Sequence, residues 1–216
     1  MSKKTVIDAI ETHKVFAIVR GLHPTKIQAT MEALYKGGIR LVEVTFDRQK
    51  GDADTLTALK ILQTEFTGKL IYGAGTVTNI VQVRQVKALG GQFIVSPNCN
   101  VEVIHATNNA DMVSLPAALT PTEALVAHNA GADFVKLFPG GVFGPGYLKA
   151  VSAPLSDIKF VAVGGIDANN IPDFYQAGAI GFGIGSNLVN NKLVEANDFD
   201  SIYQQACQYT QVINSL

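Results

Sequence analysis

One pattern recurs four times along the chain and narrows its possible folds more than any other feature. A helix-like segment ends at a glycine-bearing stop, and a short apolar run follows. It occurs as Lys36-Gly37-Gly38-Ile39 before residues 41–46 and Leu89-Gly90-Gly91-Gln92 before 93–97. It returns as Ala130-Gly131-Ala132 before 134–139 and Ala177-Gly178-Ala179 before 181–186. Glycine suits that place because the left-handed backbone that ends many helices penalises a Cβ. Four more apolar runs, at 15–20, 69–76, 111–117 and 160–165, lie between these. Short runs that are apolar throughout are what parallel strands covered on both faces look like. Eight of them, separated by helical segments, predict a compact (β/α)8 TIM barrel: one domain over residues 1–216.

The helical stretches carry signals of their own. After a Pro24 stop, residues 25–35 place Ile27, Met31, Leu34 and Tyr35 at helical spacing, and residues 55–66 do the same with Leu56, Leu59, Leu62 and Phe66. Thr120-Pro121-Thr122-Glu123 is a capping box with proline at the first helical position. Residues 167–177 and 201–213 supply late helices. An extra N-terminal helix over Lys3–His13 precedes the first strand and is expected to cover the barrel floor.

Charge and cysteine content exclude several classes of function. Seventeen basic and eighteen acidic residues are interspersed, giving no basic face for nucleic acid or an anionic membrane. No apolar run approaches the roughly 18 residues of a membrane span, and Met1-Ser2-Lys3-Lys4 leads into an amphipathic segment rather than a signal peptide. Cys99 and Cys207 lack CxxC spacing, which suits a reducing cytoplasm and offers no metal framework. His13, His23, His105 and His128 fall on or beside helices without metal-ligand spacing and read as surface residues.

In a barrel of this kind, working residues sit at the C-terminal ends of strands. Those positions are Arg20, Glu43 with Thr45, Thr76, Ser96-Pro97, Pro116, Lys136, Gly164-Gly165 and Gly183 to Ser186. Glu43 in Leu41-Val42-Glu43-Val44-Thr45 and Lys136 in Phe134-Val135-Lys136-Leu137-Phe138 interrupt otherwise apolar strands. An isolated buried lysine is unfavourable, so it is either a structural pair with Glu43 or an unprotonated nucleophile. Buried pairs add little net stability, and Arg20 as a second cation would lower the lysine's pKa, both of which favour the nucleophile. Gly164-Gly165 after the seventh strand, and Gly185-Ser186 opening residues 187–190 after the eighth, form the place where such barrels hold phosphate. Gly73-Ala74-Gly75-Thr76 lacks the rest of a dinucleotide fingerprint, so Thr76 reads as a hydroxyl at the mouth. Asp47, Arg48 and Asp52 read as solvated loop charges.

Five motifs in order carry a resemblance across nearly the whole chain: Leu41-Val42-Glu43-Val44-Thr45, Gly73-Ala74-Gly75-Thr76-Val77, Phe93-Ile94-Val95-Ser96-Pro97, Val135-Lys136-Leu137-Phe138-Pro139 and Val163-Gly164-Gly165-Ile166. The sequence resembles the 2-keto-3-deoxy-6-phosphogluconate aldolases, a family that includes 6-phosphogalactonate and 4-hydroxy-2-oxoglutarate aldolases. The resemblance implies a class I aldolase that uses no metal and no cofactor and assembles as a homotrimer. Its substrate would be a phosphorylated 2-keto acid, cleaved to pyruvate and glyceraldehyde 3-phosphate. It makes Lys136 the Schiff-base lysine and Glu43 the general acid/base. Arg20 and Thr76 would hold the carboxylate, Pro97 and Phe138 would line the substrate site, and Gly164, Gly165, Gly185 and Ser186 would hold phosphate. Two positions depart from gluconate-type members: Asp47 stands where they carry an arginine, leaving Arg20 ahead of Arg48, and Val163 precedes Gly164 as in galactonate-type relatives. Competing readings are preference for unphosphorylated 4-hydroxy-2-oxoglutarate, a sugar-phosphate epimerase or isomerase, and a non-catalytic phosphosugar-binding barrel. An epimerase or isomerase would need metal-binding His or Asp residues on the strands, which are absent, or an acid–base pair with no need of a lysine on the sixth strand. The Glu43/Lys136 pair argues against a merely binding role.

Overall fold

The computed structural model describes all residues 1–216. In chain order the elements are α1 (Lys3–His13), β1 (Val15–Val19), α2 (Pro24–Lys36), β2 (Leu41–Thr45), α3 (Ala53–Glu65), β3 (Ile71–Gly75) and α4 (Ile80–Ala88). Then come β4 (Phe93–Val95), α5 (Val101–Asn109), β5 (Val113–Leu115), β6 (Ala117–Ala118), α6 (Pro121–Asn129), β7 (Val135–Leu137) and α7 (Gly140–Ser152). The chain finishes with β8 (Phe160–Val163), α8 (Ile171–Gln176), β9 (Ala179–Ile184), α9 (Asn191–Glu195) and α10 (Phe199–Asn214).

All strand pairings are parallel, in the order β5-β4-β3-β2-β1-β9-β8-β7-β6. The two ends of that sheet are one strand broken at Pro116. Proline has no N–H for the ladder, so the run at 111–117 splits into β5, which pairs with β4, and β6, which pairs with β7. Phe134 N donating to Ser114 O at 3.2 Å and Lys136 N donating to Pro116 O at 2.9 Å stitch the ends together. The result is the eight-unit TIM-type barrel, and the sixth to eighth strands of the sequence are β7, β8 and β9.

The predicted helix stops hold where they were placed. Gly38, Gly90, Gly131 and Gly178 all have positive φ, as a C-terminal reversal before a strand requires. Other boundaries moved. Pro24 does not stop anything; it is the first residue of α2, where its missing N–H is no loss, and the His23 ring accepts from Thr25 N as the cap. Residues 168–170 are a turn, so α8 starts at Ile171. Residues 187–190 do not form a helix but a single turn in which Leu188 N and Val189 N both donate to Gly185 O. Helix α7 was hidden by Gly144-Pro145, and Gly144 kinks it with φ 77° and ψ 173°, a conformation essentially restricted to glycine.

Two apolar layers result. Outward-facing strand residues pack against the helices, while Phe16, Ile18, Leu41, Ile71, Phe93, Phe134 and their neighbours fill the barrel's interior. Val6 and Ile10 of α1 belong to that interior layer, so the N-terminal helix does close the floor. The buried polar side chains Glu43, Thr45 and Lys136 belong to strands whose lower positions, Leu41 and Phe134, face the same interior. Alternation therefore makes the bottom of the barrel a core and its mouth a site.

Candidate active site

Glu43 follows inward-facing Leu41 by two residues, and Lys136 follows inward-facing Phe134 by two, so both project into the barrel. They are 3% and 6% exposed. One cleft of about 440 Å³ is lined by both, together with Arg20, Thr76, Pro97, Phe138, Gly164, Gly165, Gly185 and Ser186. The residues to which the resemblance gives a catalytic or binding role thus line one mouth.

The acid and the amine share this cleft without a direct ion pair or hydrogen bond between them. Lys136 Nζ lies 4.8 Å from the centroid of the Phe138 ring. Burial pushes the Lys136 amine below the usual lysine range; Glu43 opposes this and Arg20 adds to it. Desolvation is the larger influence and Arg20 adds to it, so both act in the direction expected from the sequence. Burial also raises Glu43, against the attraction of Lys136 and Arg20. Both groups are drawn toward their uncharged forms, which gives an amine able to attack and a carboxyl able to give or take a proton.

Local backbone prepares the rest. Glu43 Oε1 fills the space in front of Gly75: a Cβ built there would stand 1.8 Å away. Thr76 holds φ 58°, uncommon for any residue with a Cβ and more so for a branched one, at the point where β3 turns into the mouth. Gly164 and Gly165, with φ 87° and 77°, turn their carbonyls onto protein donors, Gly141 N at 2.7 Å and Asn170 Nδ2 at 2.9 Å. The amides of Gly164, Gly165, Gly185 and Ser186 donate to no protein group. Successive free amides at one rim are an anion cradle.

Arg20 and Arg48 are both exposed, but Arg20 lines the cleft and Arg48 does not. Asp47 accepts from the Gln49 and Lys50 amides in a tight turn, which holds its carboxyl below the usual range. Asp52 precedes α3, away from the cleft. Thr45, Ser96 and Pro116 are buried and form no part of its wall. His13, His23 and His105 are exposed and His128 half-buried, none in the cleft, and both cysteines are free thiols away from it.

Ile18, Val163, Ile166, Gly183 and Asn187 also line the cleft. Sequence reasoning assigns none of them a binding role, although Gly183 stands at a strand end and Val163 and Ile166 lie in a motif. The three aliphatic residues look like any core residue. Asn187, directly after the glycine-serine turn, had a readable signal: its Nδ2 donates to Ile166 O at 3.3 Å and ties the two rim turns together.

The family model described as "Aldolase: KDPG and KHG aldolase" matches residues 6–205. A probable 2-dehydro-3-deoxy-6-phosphogalactonate aldolase of Rhizobium meliloti strain 1021 is 38% identical over 175 residues, 81% of each chain. The 2-dehydro-3-deoxy-6-phosphogalactonate aldolase of Escherichia coli K12 is 34% identical over 201 residues, covering 90% of this chain and 96% of that one. Among solved structures, the KDPG aldolase of Legionella pneumophila, with pyruvate captured as a covalent carbinolamine, superposes with a TM-score of 0.85 at 26% identity. That superposition covers 94% of this chain and 98% of the other.

Proposed function

The chain belongs to the KDPG and KHG aldolase family, and from that membership we propose that Lys136 and Glu43 perform its lyase chemistry as Schiff-base nucleophile and proton shuttle. The substrate is 2-keto-3-deoxy-6-phosphogluconate or its galactonate epimer, and the products are pyruvate and glyceraldehyde 3-phosphate. The observation that carries this reading is the pairing of a buried, unpartnered amine with a buried carboxyl in one cleft that also holds an arginine and a rim of free amides.

The unprotonated Lys136 amine adds to the C2 ketone, and Glu43 moves the protons that turn the carbinolamine into an iminium with loss of water. Glu43 then takes the C4 hydroxyl proton, the C3–C4 bond breaks, and its electrons move into the iminium to give an enamine. Glyceraldehyde 3-phosphate departs; protonation at C3 and hydrolysis release pyruvate and restore the amine. Arg20 and Thr76 hold the carboxylate so that C2 faces Nζ, Pro97 and Phe138 flank it, and the amides of Gly164, Gly165, Gly185 and Ser186 take the phosphate.

Borohydride reduction with pyruvate should add the reduced pyruvyl group to the peptide carrying Lys136, and Lys136→Ala should lose both label and turnover. Labelling at another residue overturns the assignment. Glu43→Gln should lower kcat by about 10²- to 10⁴-fold with modest change in KM. Between the epimers, the galactonate form is favoured: two relatives at 34% and 38% identity carry that name, and Val163 lines the cleft just before Gly164. A coupled assay on both epimers and on 4-hydroxy-2-oxoglutarate decides the preference.

We further read residues 1–216 as one catalytic domain working as a cytoplasmic homotrimer on small molecules, without nucleic acid or membrane partners. A near-neutral charge and the absence of any helix long and apolar enough to cross a membrane fit that reading. Light scattering should give a mass about three times the 23.0 kDa of the chain.

A further inference from the structure

Three buried side-chain oxygens have no hydrogen-bond partner: Thr45 Oγ1, Gln85 Oε1 and Gln205 Oε1. The two glutamines sit on helices α4 and α10, where exchanging amide O and N is a matter of assignment. Thr45 has no such freedom. The other buried threonines each donate to a backbone carbonyl: Thr30 to Lys26, Thr55 to Thr45 and Thr107 to Val103. Thr45 is the exception, 3% exposed at the mouth end of β2. A buried hydroxyl left unpaired in a well-packed barrel calls for a reason.

Its position supplies one. Alternation along β2 puts Thr45 on the same inward face as Glu43, one layer nearer the mouth. The Glu43 side chain climbs into that layer, because its Oε1 occupies the place of a Cβ on Gly75, and Gly75 is the register partner of Thr45. Neighbouring strands lie about 4.8 Å apart, so the Thr45 hydroxyl stands beside the slot in which the carboxylate rests. Because Oγ1 is sealed from the cleft, it meets no bound keto acid and works through another group. With Glu43 seated in that slot the two side chains are not yet hydrogen-bonded, so the bond needs Oγ1 itself to turn about the Thr45 Cα–Cβ bond. An ionised carboxylate is the strongest acceptor in its layer.

We propose that Thr45 is a positioning residue for Glu43: when the carboxyl ionises, rotation of the Thr45 side chain brings Oγ1 into donating distance and holds the carboxylate in the Gly75 slot toward the Lys136 amine. This rests on the proton-shuttle reading of Glu43. The charged groups facing the same carboxylate are Lys136 from β7 and Arg20 from the end of β1; Gly75 of β3 presents none.

The test compares Thr45→Val with Thr45→Ser, each in the wild-type and the Glu43→Gln backgrounds, with melting temperatures to establish folding. Thr45→Val should lower kcat about 10- to 100-fold, as loss of a hydrogen bond to a charged group does, with little change in KM. The acid limb of its kcat profile should move to higher pH, since the carboxylate loses a donor that favours its ionised form. Thr45→Ser should restore both, and in the Glu43→Gln background Thr45→Val should add almost nothing. If Thr45→Val does not fold, Thr45→Ala removes the same hydroxyl without adding a methyl contact. A wild-type rate and profile in the hydroxyl-free variant, or an equal fold loss in both backgrounds, overturns the proposal while a slow Glu43→Gln leaves the shuttle intact. A Glu43→Gln enzyme at full rate overturns both.

Discussion

Glu43 stands where burial works against its charge, so its folded pKa lies above the ordinary value of 4.5. The neutral acid is the form the barrel accommodates. That preference is fully present below the unfolded pKa and is lost as pH rises through the raised, folded one. Replacement by glutamine removes the titration while keeping the shape. Glu43→Gln should therefore gain melting temperature over the wild type as pH rises from about 4 to about 8, and a difference that stays flat in calorimetry would contradict the desolvation account. Two glycines beside it separate catalysis from folding. A Cβ on Gly75 meets the flexible end of Glu43 at 1.8 Å, whereas one on Gly73 meets the Phe93 backbone oxygen at 2.1 Å. A carboxylate can move aside; a paired strand cannot. Gly75→Ala should fold and lose about 10²-fold in kcat through a displaced Glu43, while Gly73→Ala should fail to accumulate as folded protein. Circular dichroism alongside steady-state rates distinguishes the two.

At the scale of elements, α1 ties the chain's start to the barrel floor. Val6 and Ile10 join the interior core, and Lys3 Nζ reaches Asp133 at 2.9 Å and Asn108 Oδ1 at 2.7 Å. The floor lies at the opposite end of the strands from the cleft. Ile10→Ala should thus cost about 2–5 kcal/mol in urea unfolding with kcat unchanged, and a matching loss of kcat would mean the floor and mouth are coupled. Much of this element pattern was legible beforehand, because it rests on local chemistry. The α1 bounds, the Thr120/Glu123 capping box and the four glycine reversals each depend on residues that are neighbours in sequence. What escaped depends on distant partners. Pro24 reads equally as a stop or a first turn until His23 is seen to cap α2. The break of the fifth strand at Pro116 shows only in its partners, β5 pairing with β4 and β6 with β7. Glu43 and Lys136 show as charges inside apolar runs, but Ile18 wears the same pattern as the core, and nothing local marks Gly75 as a seat for a carboxylate.

For the whole molecule, the interior divides into an apolar floor and a polar mouth that gain stability in different ways. The floor gains it from packing, with Phe16 and Phe93 edge to face at 5.3 Å between centroids. The mouth holds a desolvated lysine, a desolvated glutamate, an unpaired threonine hydroxyl, a threonine at φ 58° and a rim of free amides, each leaving an interaction unmade in the fold alone. A bound keto acid supplies several of those interactions at once, so the free protein should be markedly less stable than the liganded one. Binding that excludes the unfolded chain stabilises by about 2.7 kcal/mol at a ligand concentration of 100 Kd. For a chain of this size each kcal/mol moves the melting point by about 2–4 °C, which predicts a rise of about 5–10 °C with saturating pyruvate. Lys136→Met removes the amine through which pyruvate is held and should leave a rise of less than about 3 °C at the same concentration. An equal rise in both proteins would show that pyruvate stabilises the barrel without engaging Lys136, and the division into floor and mouth would then have to be drawn without a covalent site at its centre.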